Sequence, residues 1–198
     1  MRVGMFGGSF NPVHCGHVQL VESFIRELSL DRVFVVPAFV SPFKLEGGAV
    51  IPEHRLEMCR LAFADIPQVT VSDIEILRQG ASYTYQTLIT LSEKCCAEKI
   101  YLLLGADSFL TVQDWKKPES IFEHAVICGI PRETENAAVL EKHASILEGL
   151  GAQSLILRTE VMTVSSTQIR NLIKKGQSIS GLVPRSVEQY IQSHQLYC

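Results

Sequence analysis

Val3-Gly4-Met5-Phe6-Gly7-Gly8-Ser9-Phe10-Asn11-Pro12-Val13-His14-Cys15-Gly16-His17 decides how this chain is read. A short apolar run ends in paired glycines and passes into a helical pattern from Gly16 to Leu28. Such a strand–turn–helix unit lets backbone N–H groups approach an anion closely, at the positive end of a helix dipole. It therefore reads as a nucleotide-phosphate site, with Gly7, Gly8, Ser9 and Phe10 forming its floor. Two imidazoles stand in the same turn. His14 and His17 are three residues apart near the helix start, so both rings can face one ligand and donate hydrogen bonds to charge growing on a phosphate.

Outward from that unit, apolar runs of strand length alternate with helical patterns. Strands are expected at 3–6, 32–37, 69–71, 100–104, 125–130 and 154–157, and helices near 16–28, 53–64, 83–94, 137–150, 166–175 and 186–194. Regular alternation of this kind predicts an α/β fold: a Rossmann-like, doubly wound parallel sheet with helices on both faces. Residues 1–198 read as one domain whose small C-terminal helical portion covers 160–198. The glycine-bearing connector Ser41–Ile51 has the composition of a lid loop.

At 46% hydrophobic residues the chain can bury a full core, while a formal charge of −3 argues against a nucleic-acid scaffold. Any polyphosphate must then be held by local groups. Six cysteines without Cys-x-x-Cys spacing fit reduced thiols and a cytoplasmic setting. There is no signal-peptide pattern and no apolar run near the ~18 residues of a membrane span. The His14/His17 pair lacks the further ligands zinc needs, so no protein metal site is expected. Magnesium bound mainly through substrate phosphates would leave little trace in sequence.

Ligands of open parallel sheets bind beyond the carboxyl ends of the strands. After the 32–37 strand, Lys44 is a cation placed to fold over a triphosphate. After 69–71, Ser82-Tyr83-Thr84 opens a helix whose N–H groups and Thr84 hydroxyl can bind a carboxylate. Beyond 100–104, Asp107 suits a ribose or metal-bound water, and Trp115, the sole tryptophan, lies among polar residues as a stacking face. Arg132 follows the 125–130 strand and can clamp a phosphate. Ser165-Ser166-Thr167 with Arg170 makes a compact anion cradle at a helix start, with Gln168 completing a capping-box pattern.

These segments also carry a resemblance. Gly8 to His17 resembles the Gly-Ser/Thr-Phe-Asp-Pro-x-His-x-Gly-His signature of the His-x-Gly-His nucleotidyltransferases, with Asn11 where Asp is commoner. Pro42-Phe43-Lys44 resembles the Pro-Pro-His-Lys segment of the nicotinate-nucleotide adenylyltransferase branch, with Phe43 in the His position. Ser82 to Leu88 is similar to its Ser-Tyr-Thr-x-x-Thr-Leu element. Gly105 to Trp115 is similar to Gly-x-Asp-x(4)-Leu-x-x-Trp, with Val112 for Leu, and Val164 to Arg170 resembles Ile-Ser-Ser-Thr-x-Ile-Arg.

The resemblance implies transfer of the adenylyl group of ATP to nicotinate mononucleotide, giving deamido-NAD and pyrophosphate, with Mg²⁺ on the ATP phosphates. It implies catalytic roles for His17, His14 and Lys44. ATP would be bound by Gly7, Gly8, Ser9, Phe10, His14, His17, Ser165, Ser166, Thr167 and Arg170, and the acceptor by Tyr83, Thr84, Asp107, Trp115 and Arg132. Neither nucleic acid nor membrane is an expected partner, and homo-oligomerisation is left open. Three alternatives remain at this point: the same chemistry on nicotinamide mononucleotide or phosphopantetheine, a class I aminoacyl-tRNA synthetase fragment, and a nucleotide-sensing module without turnover.

Overall fold

The computed structural model describes residues 1–40, 50–131, 137–159 and 162–198. Six strands, β1 (Val3–Gly8), β2 (Arg32–Pro37), β3 (Val69–Val71), β4 (Ile100–Gly105), β5 (Ala125–Ile130) and β6 (Gln153–Ile156), form one sheet in the order β3-β2-β1-β4-β5-β6. Every pairing is parallel. The chain builds from β1 towards β3, then returns to place β4 on the other side of β1. Strand order reverses there, so the crevice that receives a ligand lies beyond the ends of β1 and β4.

Helices cover both faces, because successive side chains of a strand point to opposite sides and each side needs apolar cover. On one face α1 (Cys15–Leu28), α2 (Pro52–Ala62), α8 (Ser166–Lys174) and α9 (Arg185–Ser193) pack Val21, Phe24, Met58, Ile169, Val187 and Ile191 with Phe6, Val33 and Val35. On the other, α4 (Thr84–Cys95), α5 (Ala106–Phe109), α6 (Pro118–His124) and α7 (Ala137–Gly149) pack Leu88, Leu91, Phe109, Ile121, Leu140 and Leu147 with Met5, Leu102 and Leu104. Each such side chain stabilises the fold by roughly 1.5–3 kcal/mol relative to exposure.

The expected strands and helices are present, with shifted ends. β1 runs on through Gly7 and Gly8 because their backbones pair with Val36 and Pro37. Three helices were not expected: α3 (Ile74–Arg78), a single short turn after β3; α5, a single turn directly after β4; and α6, which starts at Pro118 behind Lys117 in a left-handed conformation (φ 54°). Pro at the first helical position has no N–H to leave unpaired. No described helix is long and apolar enough to cross a membrane.

Candidate active site

The turn leaving β1 is shaped by two absent side chains. A Cβ on Gly8 would stand 3.0 Å from the Phe10 ring, and one on Gly16 would stand 2.8 Å from the Met162 carbonyl oxygen. Those two glycines let Phe10 fold back beneath the turn and let residues 162–164 cross the start of α1. Phe10 pays for this with a left-handed backbone (φ 47°), a conformation that costs an L-residue roughly 1–2 kcal/mol and persists only where packing enforces it. Its buried ring meets Phe6 edge-on at 5.3 Å and His17 edge-on at 5.1 Å.

His14 caps α1, and the His17 Nδ1 accepts a hydrogen bond from the His14 backbone N–H at 3.2 Å. This is the reach-back half of a capping box, made by an imidazole. It has an electronic consequence. A ring nitrogen that accepts an N–H carries a lone pair, so the His17 proton sits on Nε2 and that nitrogen is a donor. The two rings stack with centroids 3.5 Å apart and planes at 21°, and both line the cavity in the crevice.

The turn is held from behind by side chains distant in sequence. Arg55 Nη1 donates to the Ser9 carbonyl at 2.7 Å, Arg170 Nη1 to the Asn11 carbonyl at 2.8 Å, and Ser166 Oγ to the Pro12 carbonyl at 2.8 Å. The Tyr197 hydroxyl donates to Asn11 Oδ1 at 2.8 Å, a use for the neutral amide that stands where the signature commonly has Asp. Burial pushes the Tyr197 phenol up, so it remains a donor.

Arg170 takes part in this bracing. Its described donors go to the Asn11 carbonyl and to Thr167 Oγ1 at 3.2 Å, and the guanidinium is not part of the cavity wall. The start of α8 does line the cavity through Ser165, Ser166 and Thr167, with Ser165 Oγ accepting from the Gln168 N–H at 3.1 Å.

The opposite wall carries the acceptor-side candidates. Thr84, the first residue of α4, Asp107 in α5 just beyond β4, and Trp115 line the same cavity of about 820 Å³. This falls in the range of small-ligand sites. Tyr83 lines an adjoining pocket of about 290 Å³ that shares Ser82, Thr84, Asp114 and Trp115 with it. Trp115 also packs partly against the core, so one indole is both edge packing and cavity wall. Its turn is tied to α7: His143 bonds Gln113 Oε1 at 3.0 Å, and the same amide donates to Asp114 Oδ2 at 3.1 Å.

Sequence reasoning missed Glu75. It is buried yet reaches the cavity wall, and accepts from the Thr87 hydroxyl at 2.6 Å, with Arg78 at 3.8 Å. Burial raises its carboxyl above the ordinary range, opposed by hydrogen bonds from Thr87 and Ser82 and by the Arg78 charge. Glu75 thereby anchors the first turn of α4 against α3. Phe43, Lys44 and Arg132 lie outside the described residues. Among the described residues no group of three His, Cys, Asp or Glu side chains is arranged to hold a metal ion.

A family model described as cytidylyltransferase-like matches residues 5–172. A Geotalea daltonii protein named "Probable nicotinate-nucleotide adenylyltransferase" is 37% identical over 212 residues, covering 100% of this chain and 98% of its own. A Roseiflexus castenholzii protein of the same name is 39% identical over 197 residues, covering 99% and 98%. Among solved structures, Plasmodium falciparum nicotinic acid mononucleotide adenylyltransferase complexed with NaAD superposes with a TM-score of 0.78 at 16% identity, covering 99% of this chain and 97% of that one. The same enzyme complexed with APC gives a TM-score of 0.77 at 16% identity, over 99% and 96%. At that identity the likeness is one of fold.

Proposed function

This chain belongs to the nicotinate-nucleotide adenylyltransferases of the cytidylyltransferase-like family, and from that premise we propose how its own residues divide the reaction. The enzyme transfers the adenylyl group of ATP to nicotinate mononucleotide, giving deamido-NAD and pyrophosphate. The observation that carries the division of roles is the single crevice at the strand-order reversal, walled on one side by the two-histidine turn and the start of α8, and on the other by Thr84, Asp107 and Trp115.

An acceptor phosphate oxygen attacks the α-phosphorus of ATP, a new P–O bond forms, the bond to the β-phosphate oxygen breaks, and pyrophosphate leaves. Little covalent chemistry is asked of the protein. It must align two polyanions and stabilise charge on the equatorial oxygens. His17 supplies the Nε2–H donor to that charge and His14 assists. The backbone of Gly7, Gly8, Ser9 and Phe10 receives the nucleotide, with Ser165, Ser166 and Thr167 across the cleft. Arg170 supports this site by holding Asn11 and Thr167, and Lys44 and Arg132 add positive charge to the polyphosphate and acceptor. Asp107 binds a ribose, Trp115 stacks on the pyridine, and the start of α4 at Tyr83–Thr84 reads its carboxylate. Mg²⁺ would enter with ATP and would supply further neutralisation of the phosphate charge. Residues 1–198 act as one catalytic unit with 160–198 as its helical portion, and the six free cysteines suit a reducing cytoplasm.

The direct test is pyrophosphate release. It is expected when ATP and nicotinate mononucleotide are both present and far more slowly with nicotinamide mononucleotide, and release with phosphopantetheine instead would overturn the acceptor assignment.

Two substitutions probe the two walls separately. Trp115→Ala is expected to raise KM for nicotinate and nicotinamide mononucleotides alike by roughly tenfold, because stacking ignores the ring substituent and is worth about 0.5–1.5 kcal/mol beyond area burial. Steady-state kinetics with both acceptors check this, and an effect confined to one would remove the stacking role. Lys44→Ala is expected to raise KM for ATP by roughly tenfold, as for loss of a charge-assisted contact, and by clearly less for the acceptor. Equal changes for both substrates would make Lys44 an ordinary surface charge.

A further inference from the structure

Arg55 is buried, yet among the described residues it forms no ion pair. Its guanidinium is spent on three backbone carbonyls instead: Ser9 at 2.7 Å, Phe39 at 2.9 Å and Val50 at 3.1 Å. Ser9 belongs to the turn after β1, Phe39 follows β2, and Val50 precedes α2. Three segments far apart in sequence are joined by one planar fork, a geometry that a lysine ammonium cannot reproduce. Phe39 is held on its other side as well, its N–H donating to Ser82 Oγ at 2.9 Å.

We propose that Arg55 is a positioning residue for adenylyl transfer, fixing the peptide plane of the nucleotide-binding turn and setting a buried positive charge behind it. The proposal rests on the reading of residues 7–17 as the nucleotide turn. Its geometry follows from planarity. The Ser9–Phe10 bond is trans, so anchoring the Ser9 carbonyl on Arg55 directs the Phe10 N–H the opposite way and holds Phe10 in its left-handed conformation. Its electrostatics follow from burial. A desolvated guanidinium bonded to neutral carbonyls keeps its full charge, helped by the Glu53 carboxylate, and a polyphosphate seated on Gly8, Ser9 and Phe10 would add counter-charge from the cavity side. Burial does lower the Arg55 pKa, but an arginine stays protonated at any pH the enzyme meets.

The test compares Arg55→Lys with Gly8→Ala by calorimetric titration of ATP and of nicotinate mononucleotide, with circular dichroism confirming the fold. Arg55→Lys keeps the charge and loses the fork, and is expected to raise Kd for ATP about tenfold, as for a lost charged hydrogen bond, with a smaller change for the mononucleotide. Equal weakening of both ligands would make Arg55 a general structural residue and overturn the proposal. Unchanged ATP binding in a folded Arg55→Lys, with weakened binding in Gly8→Ala, would also overturn it while leaving the nucleotide turn standing. Unchanged binding in both would show that the reading of the turn itself had failed. Should Arg55→Lys not fold, the unmodified protein still decides. ATP is expected to shift the Arg55 Nε–H resonance and nicotinate mononucleotide to leave it nearly in place; a resonance unmoved by ATP would overturn the proposal.

Discussion

His17→Ala is expected to lower kcat by on the order of 10² to 10⁴ while the protein still unfolds cooperatively. The size follows from what the ring does. Its Nδ1 is occupied by the His14 N–H, so Nε2–H is a donor set in place before the reaction begins and needing no reorganisation as charge develops. Alanine removes that donor along with the reach-back bond at the start of α1, and loss of a helix cap costs about 0.5–2 kcal/mol of stability. The edge contacts of Phe10 with Phe6 remain to hold the turn. Rapid-mix measurement of a single turnover, alongside thermal melting, checks both halves of the expectation. A well-folded variant with unchanged kcat would take His17 out of the mechanism. A rise in KM for ATP with kcat preserved would make it a ground-state ligand only.

The second large effect concerns the acceptor. The acid is expected to be preferred over the amide by on the order of 10² to 10³ in kcat/KM, equivalent to roughly 2–4 kcal/mol of differential transition-state binding. A carboxylate at the start of α4 accepts charge-assisted hydrogen bonds from backbone N–H groups. A carboxamide gains less and sets its own NH₂ against those donors. The wall is stiff enough to discriminate: Ser82 is bonded to Phe39, and Thr87 in the first turn of α4 is bonded to buried Glu75. Substituting Thr84 should narrow the gap between acid and amide, whereas Trp115→Ala should leave it nearly intact. Near-equal kcat/KM for the two mononucleotides in the unmodified enzyme would refute the carboxylate-reading role of Tyr83–Thr84.

What sequence could and could not disclose divides along the range of the interactions. The β1–turn–α1 unit was legible because glycines, histidines and helix start are neighbours in the chain, and the same holds for the Ser165 cap on α8. Helix α6 was not, since seven residues behind a left-handed Lys117 carry too little periodicity to outweigh the turn-like Lys-Pro pair. The side chains that brace the site were harder still. Arg55, Glu75 and Tyr197 act on residues 46, 12 and 186 positions away, contacts that no local pattern records. Arg55 did leave one trace. It sits one helical turn before Met58 and Cys59, on the apolar stripe of α2, where a charged residue requires a buried partner. Arg170 combines both ranges: its motif suggested phosphate from neighbouring residues, while its bond to the Asn11 carbonyl, 159 positions away, left no local pattern.

The central claim is that the two substrates meet directly across the crevice, with the protein aligning them and forming no bond of its own. Stereochemistry at the transferred phosphorus tests this with one measurement. Using ATP in which a single diastereomer carries sulfur on the α-phosphorus, one in-line displacement predicts inversion of configuration in the dinucleotide product. Retention would contradict the account, because it requires two displacements through an adenylylated enzyme.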